Sequence, residues 1–321
     1  MEKAARKFLE SLIDAVSPSG FENEAVEVWK SQVNKSTDNI KTDIHGNCIA
    51  VLGEEKRPRV MLAGHIDEVG FMVKYIDENG YIYFSTVGGV DSQVVPGQRV
   101  KIKTDNGYLR GVIGRKPIHL LEDEEKKKAP KTEDMWIDIG SEDEEETKSK
   151  VGIGDAVVFD VGLTELNSDR LTGRGFDDKA GAFVVGEVLR EIAGENLDAA
   201  LYSVATVQEE IGLRGARTSA YGISPDIGIA VDVTFASDFP TMNKKKSGDI
   251  KLGGGPVIAR GPNINPRIFK VLVETAKSEE IPYQIQSVSA ATGTDANVIQ
   301  TTKSGVATAL ISIPLRYMLR R

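Results

Sequence analysis

Six residues in four short stretches have the types and spacing to gather divalent metal ions. His65 and Asp67 stand two apart, just after the apolar run Val60-Met61-Leu62-Ala63. A short apolar run bounded by turn residues reads as a buried strand. Residues two apart on an extended chain point the same way, so an imidazole ligand and the carboxylate that orients it can be presented together. Asp177 comes from Gly175-Phe176-Asp177-Asp178-Lys179, Glu209 and Glu210 from Gln208-Glu209-Glu210-Ile211-Gly212, and Asp232 from Val231-Asp232-Val233. Singly, each signal is weak. A histidine by a strand end is more often a hydrogen-bonded structural residue, adjacent glutamates are usually solvated, and an aspartate before a helix is usually its N-cap. Jointly they are stronger, because burying so many carboxylates at one sheet edge is costly unless cations or hydrogen bonds compensate.

The elements that must position them follow from hydrophobic periodicity. Phe8, Leu9, Leu12, Ile13 and Val16 predict an amphipathic helix over 3–16, and Val26, Trp29 and Val33 a second helix after the turn Ser17-Pro18-Ser19-Gly20. Strands are expected near 47–52 and 59–63. From Val69 the grammar changes to short strands: a hairpin over 69–84 around Asp77-Glu78-Asn79-Gly80, then strands near 99–103, 108–113 and 155–159. The charge runs 122–128 and 142–146 read as solvated faces. After Gly173 the alternation returns, with a helix over 178–192, strands at 201–207 and 227–231, a helix over 267–279 opened by Asn265-Pro266, and a last strand at 307–313. The fold class is α/β, a mainly parallel sheet covered on both faces, in a discontinuous domain of 1–67 and 166–321. Residues 68–165 form an inserted β-rich domain. In such sheets ligands bind beyond the C-terminal strand ends, where the six residues fall.

Composition narrows the function classes. The 321 residues carry a formal net charge of -8, with a pI near 5.2. No basic patch is available for a phosphate backbone, so nucleic acid is not an expected partner. No stretch reaches the ~18 apolar residues of a membrane span, and the amino terminus lacks the apolar core of a signal peptide. The single cysteine, Cys48, forms no internal disulfide. A cytoplasmic protein without a membrane partner is expected.

His65-Ile66-Asp67, Gly175-Phe176-Asp177-Asp178-Lys179-Ala180-Gly181, Gln208-Glu209-Glu210-Ile211-Gly212, Val231-Asp232-Val233-Thr234, Gly293-Thr294-Asp295-Ala296 and Ile313-Pro314-Leu315-Arg316-Tyr317-Met318 occur in an order that resembles the tetrahedral and glutamyl aminopeptidase family of dinuclear zinc metallopeptidases. Lys116-Pro117-Ile118-His119-Leu120 fits as well, so the resemblance covers essentially the whole chain. It implies a three-layer zinc-exopeptidase-like catalytic domain interrupted by a β-barrel-like dimerisation domain. It also implies two divalent ions, zinc by preference, with cobalt or manganese compatible with the same donors. Asp177 would bridge the two, His65 and Asp232 would complete the first site, and Glu210 would bind the second. Asp67 would fix the tautomer of His65, and Glu209 would be the general base for a water held between the ions. Asp178 would cap its helix. The implied partners are peptides with a free amino terminus, and further copies of the chain as dimers or a twelve-subunit tetrahedron.

One departure bears on the second ion. The family pattern continues after Met318 with a histidine ligand and a terminal helix, whereas this sequence runs Leu319-Arg320-Arg321. The second ion would then keep Asp177, Glu210 and water, unless His45 or His119 substitutes. The expectation is either an altered end on an ordinary enzyme, or an impaired member serving as an assembly subunit. An amidohydrolase of N-acyl amino acids and a glycosidase are the competing enzyme readings. The latter needs two carboxylates about the scissile bond but no metal cluster.

Overall fold

The strand Ala200–Thr206 shows how the sheet is built. All seven residues are buried, yet they alternate in what they meet. Leu201 and Ala205 pack under helices on one face, while Ala200, Tyr202 and Val204 pack under helices on the other. The period of two thus serves two cores at once, as expected for a strand covered on both faces. Ser203, a polar residue among them, donates its hydroxyl to the Val185 carbonyl (2.6 Å).

The computed structural model describes residues 1–167 and 169–318. Its strands in chain order are β1 (Ile40–Thr42), β2 (Cys48–Leu52), β3 (Arg59–His65), β4 (Gly70–Ile76), β5 (Ile82–Val87), β6 (Arg99–Thr104), β7 (Gly107–Arg115), β8 (Met135–Asp138), β9 (Ala156–Phe159), β10 (Thr164–Leu166), β11 (Arg170–Thr172), β12 (Ala200–Thr206), β13 (Ile227–Phe235), β14 (Val257–Arg260), β15 (Gln284–Ser287) and β16 (Ala307–Leu315). The helices are α1 (Lys3–Asp14), α2 (Asn23–Val33), α3 (Asp123–Lys126), α4 (Glu144–Lys148), α5 (Phe176–Ile192), α6 (Arg214–Ile223), α7 (Lys244–Ser247), α8 (Pro266–Ser278) and α9 (Ala296–Ile299).

Eight strands form one sheet in the order β1-β2-β12-β3-β13-β16-β14-β15. Its centre is parallel, with β3 between β12 and β13, and β16 beyond β13. The joints to β2 and β14 are antiparallel, so the sheet is mixed rather than uniformly parallel. Helices α1, α2 and α5 cover one face through Phe8, Leu12, Trp29 and Val185. Helices α6, α8 and α9 cover the other through Ala216, Ala220, Val298 and Ile299 and, under α8, Phe269 and Leu272.

Between β3 and α5 the chain leaves the sheet and closes a six-stranded barrel, β4-β5-β8-β7-β6-β9. Its interior is apolar, built on Phe71, Val73, Ile82, Phe84, Ile102, Ile113, Ile137, Val157 and Phe159. The molecule is thus an α/β fold carrying a small closed barrel. Both stretches that border the barrel in sequence return to the same edge of the sheet. There Pro18 and Glu68 form an isolated bridge. Arg174 donates to the carbonyls of Ile13, Asp14 and Ala15, and so caps the end of α1 with a cation.

Candidate metal centre

His65 ends β3, and its neighbour Gly64 decides how closely α5 can approach. A Cβ on Gly64 would lie 2.5 Å from the Gly181 carbonyl carbon and 2.6 Å from the Ala182 nitrogen. The strand and helix backbones therefore touch, which brings Asp177 and Asp178 beside His65. Asp178 is fully buried. One of its oxygens accepts from the His65 N–H (3.1 Å) and the other from the Gly181 N–H (3.0 Å). It ties strand to helix and caps the helix, leaving Asp177 to face the cavity, 19% exposed in its side chain.

His65 Nε2 lies 3.3 Å from Asp177 Oδ1 and 3.8 Å from Glu209 Oε2. Its Nδ1 lies 3.1 Å from the Asp67 carbonyl oxygen and 3.4 Å from that residue's carboxylate. Two acceptors at Nδ1 favour a proton there, so Nε2 is the nitrogen that a cation among the acids would meet. The closer acceptor is the main chain, because the Asp67 carboxylate has other work. It accepts from Ser19 Oγ (2.5 Å), from the Glu209 N–H (3.0 Å) and from the Glu210 N–H (3.1 Å).

Donor atoms of His65, Glu209 and Asp232 lie within 4.8 Å of one another, and so do those of His65, Asp177 and Glu210. The two groups share the imidazole and together contain five of the six residues singled out from sequence. The sixth, Asp67, lies directly behind them. Neither His45 nor His119 joins either group among the described residues. Leu319, where the family pattern would have its remaining histidine, lies outside the described residues.

The electrostatics are those of buried acids gathered around one imidazole. Burial, with Asp177 and Asp295 nearby, pushes Asp232 up to about 8, against the pull of His65. Burial and neighbouring acids push Glu210 up to about 8 and Glu209 up to about 9. Burial opposes a charged His65 ring, yet Glu209, Asp177 and Asp67 raise it well above its ordinary value. Asp67 goes the other way despite burial, because His65, Ser19 and the Glu209 N–H favour its charged form. Glu210 Oε1 is buried with no hydrogen-bond partner. An orphaned carboxylate oxygen among one imidazole and four acids fits a divalent cation, and this nitrogen-and-oxygen donor set suits zinc, cobalt or manganese.

Three further acids stand at the site, and two of them, Glu68 and Glu22, carried no distinct signal in the sequence. Glu68 is buried with Lys179 Nζ 2.7 Å away and Arg174 at 3.8 Å, which hold its carboxyl low against burial. Glu22, pushed up to about 7 by burial with Asp67 nearby, accepts the Gln208 N–H. Asp295, from the Gly293-Thr294-Asp295-Ala296 motif, makes no side-chain cap bond to α9. It accepts from Thr206 Oγ1 (2.5 Å), and its other oxygen is buried without a partner. The barrel also reaches the site: Gly88, after β5, comes so close to Glu210 that a Cβ there would lie 3.2 Å from the Glu210 Cβ.

Comparison with known proteins places this geometry in context. The family described as M42 glutamyl aminopeptidase matches residues 46–319. A lysyl aminopeptidase of Pyrococcus furiosus is 38% identical over 316 residues, covering 97% of this chain and 89% of that protein. A TET aminopeptidase from a marine sediment archaeon, Thaumarchaeota archaeon SCGC AB-539-E09, superposes with a TM-score of 0.94 at 36% identity, over 98% of this chain and 89% of that one. The TET1 peptidase of Pyrococcus horikoshii, which can assemble into a tetrahedron or a large octahedral shell, gives 0.87 at 31% identity, over 98% and 92%.

Proposed function

This chain belongs to the M42 glutamyl aminopeptidase family, and from that premise we propose that it is a metal-dependent aminopeptidase removing residues one at a time from peptide amino termini. The observation that carries the reading is the convergence of Asp177, Glu209, Glu210 and Asp232 on His65, and the ligand assignment follows the family resemblance. His65, Asp177 and Asp232 would hold one divalent ion, and Asp177 with Glu210 a second. When bound, such ions polarise the scissile carbonyl and acidify a water.

The remaining steps belong to side chains. Glu209 takes the proton of the attacking water and returns it to the departing amine. A high proton affinity in the metal-free cluster suits that role, since the same carboxylate must both accept and release. Asp67, buried beside His65, holds the Glu209 and Glu210 amides. Glu210 and Asp177 give the substrate's ammonium group a negative field. The inserted barrel would join copies of the chain. Tyr75, Val112, Ile118 and Leu120 are exposed in this insert, and burying such side chains would favour a like partner.

The test is a substrate panel on chelator-stripped protein restored with zinc, cobalt or manganese. Cleavage of aminoacyl anilides, with N-acetyl amino acids left intact, is the expected result; the reverse preference would establish an amidohydrolase. Replacing Glu209 by Gln should leave metal content unchanged while turnover falls about 10²–10⁴-fold.

A further inference from the structure

Three successive backbone N–H groups lead into the two glutamates, and each ends on a buried carboxylate. The Gln208 N–H donates to Glu22 Oε1 (3.1 Å), the Glu209 N–H to Asp67 Oδ1 (3.0 Å) and the Glu210 N–H to Asp67 Oδ2 (3.1 Å). Glu22 is 6% exposed and stands 186 positions from Gln208 in the chain. The same oxygen accepts the Gly20 N–H at 2.6 Å. Glu22 sits at the N-cap of α2, but its side chain makes no cap bond there. Its carboxylate is therefore spent across the molecule rather than on its own helix.

The segment it holds needs holding. Gln208 has φ 55°, in the left-handed region that a side-chain-bearing residue adopts only when its surroundings fix it. Asp67 grips the two amides after this residue and none before it. Asn47 Oδ1 fixes the Val207 N–H before it (3.0 Å), which leaves the Gln208 amide, at the turn itself, to the Glu22 carboxylate. The turn that supplies Glu22 also supplies Ser19, whose hydroxyl braces Asp67 at 2.5 Å.

We infer that Glu22 is a positioning residue of the peptidase site: with Asp67 it forms a two-carboxylate clamp on the amides of 208–210, which aims Glu209 at the attacking water and Glu210 at the cation. The inference rests on the function proposed above. Glu22 touches neither substrate nor ion and acts through the backbone of the residues that do.

The experiment compares wild type, Glu22→Ala and Glu22→Gln, each stripped with chelator. Zinc binding is titrated by calorimetry, and anilide hydrolysis is followed after zinc is restored. If the wild type binds zinc but cleaves no aminoacyl anilide, the proposed function fails, and the titration still reads the clamp. Glu22→Ala is expected to lower kcat about 10–100-fold with little change in KM, and to weaken the weaker zinc about tenfold. Glu22→Gln keeps an oxygen acceptor at the same reach and restores both to near wild type. Wild-type kcat and zinc binding in Glu22→Ala would overturn the inference, and so would equal impairment in Glu22→Gln. Should Glu22→Ala not fold, Glu22→Asp, one methylene short of Gln208, takes its place. Lower kcat and weaker zinc are then expected of it, and wild-type values of both would overturn the inference.

Discussion

The barrel and the C-terminal edge of the sheet are buried to similar depth and filled with opposite materials. Inside the barrel, Phe71 meets Phe84 and Phe159 edge-on at 5.0 and 5.3 Å, among aliphatic side chains. At the sheet edge, His65, Asp67, Glu68, Asp178, Lys179, Glu209, Asp232 and Asp295 are all buried. Apolar burial stabilises wherever it occurs. Buried charge stabilises only when it is paired, and it is the unpaired remainder that can do chemistry. The difference assigns stability to one region and reactivity to the other, and each of the following measurements presses on that division.

The largest effect should come from the shared imidazole. His65→Ala removes a donor from both groups, and aminoacyl anilide hydrolysis should fall by about three orders of magnitude or more, the several kcal/mol that a bound cation contributes. Full activity with metal still bound would break the comparison at its centre. Next is the barrel. Phe71→Ala, at a fully buried ring, should cost about 3–5 kcal/mol in chemical denaturation, while metal stoichiometry in the folded fraction stays that of wild type. A parallel loss of metal would mean that the two regions are not separate in energy.

The third measurement is pH. In the metal-free protein Glu209 is pushed to about 9, and Glu210 and Asp232 to about 8, against ordinary values near 4 in the unfolded chain. Between those limits the folded state binds more protons than the unfolded one, so its stability falls as pH rises from about 4 through about 8–9. Cation binding must expel these protons and should tighten over the same range. The drop in Tm on adding chelator should therefore be larger at pH 9 than at pH 6; equal drops would refute the reading. The smallest effect belongs to the solvated charge run. Lys126 pairs with Asp123 at 2.9 Å with 41% and 88% of the two side chains exposed, and Lys126→Ala should change stability by less than about 0.5 kcal/mol by thermal melting.

What was legible in the sequence had a period or a motif behind it. Helix α1, strands β3 and β12 and the β4–β5 hairpin fall within a few residues of expectation, because their apolar spacing is strong. Asn265 accepts from the Arg267 and Ile268 N–H groups with Pro266 in the first turn, as its capping chemistry predicted. The missed elements lack such spacing. Helix α6 buries Gly215, Ala216, Ser219 and Ala220, residues too small to register as an apolar stripe although they let the helix lie close to the sheet. Strand β15, Gln284-Ile285-Gln286-Ser287, is a polar edge strand, and β8 is four residues among charges. Glu22 and Glu68 were invisible for another reason. Their partners lie 186 and 111 positions away, and no local pattern marks a carboxylate whose use is remote.

The order of strands has a mechanical corollary. Strand β3 precedes the barrel in the chain and lies between two strands that follow it, with seven register pairs to β12 and four to β13. Inside the barrel, β8 likewise joins β5 and β7, and β9 joins β4 and β6. A protease cut in the exposed 122–128 run would thus sever the polypeptide without releasing either piece. The fragments would travel as one particle, and two separately expressed halves should be able to knit together into a working whole.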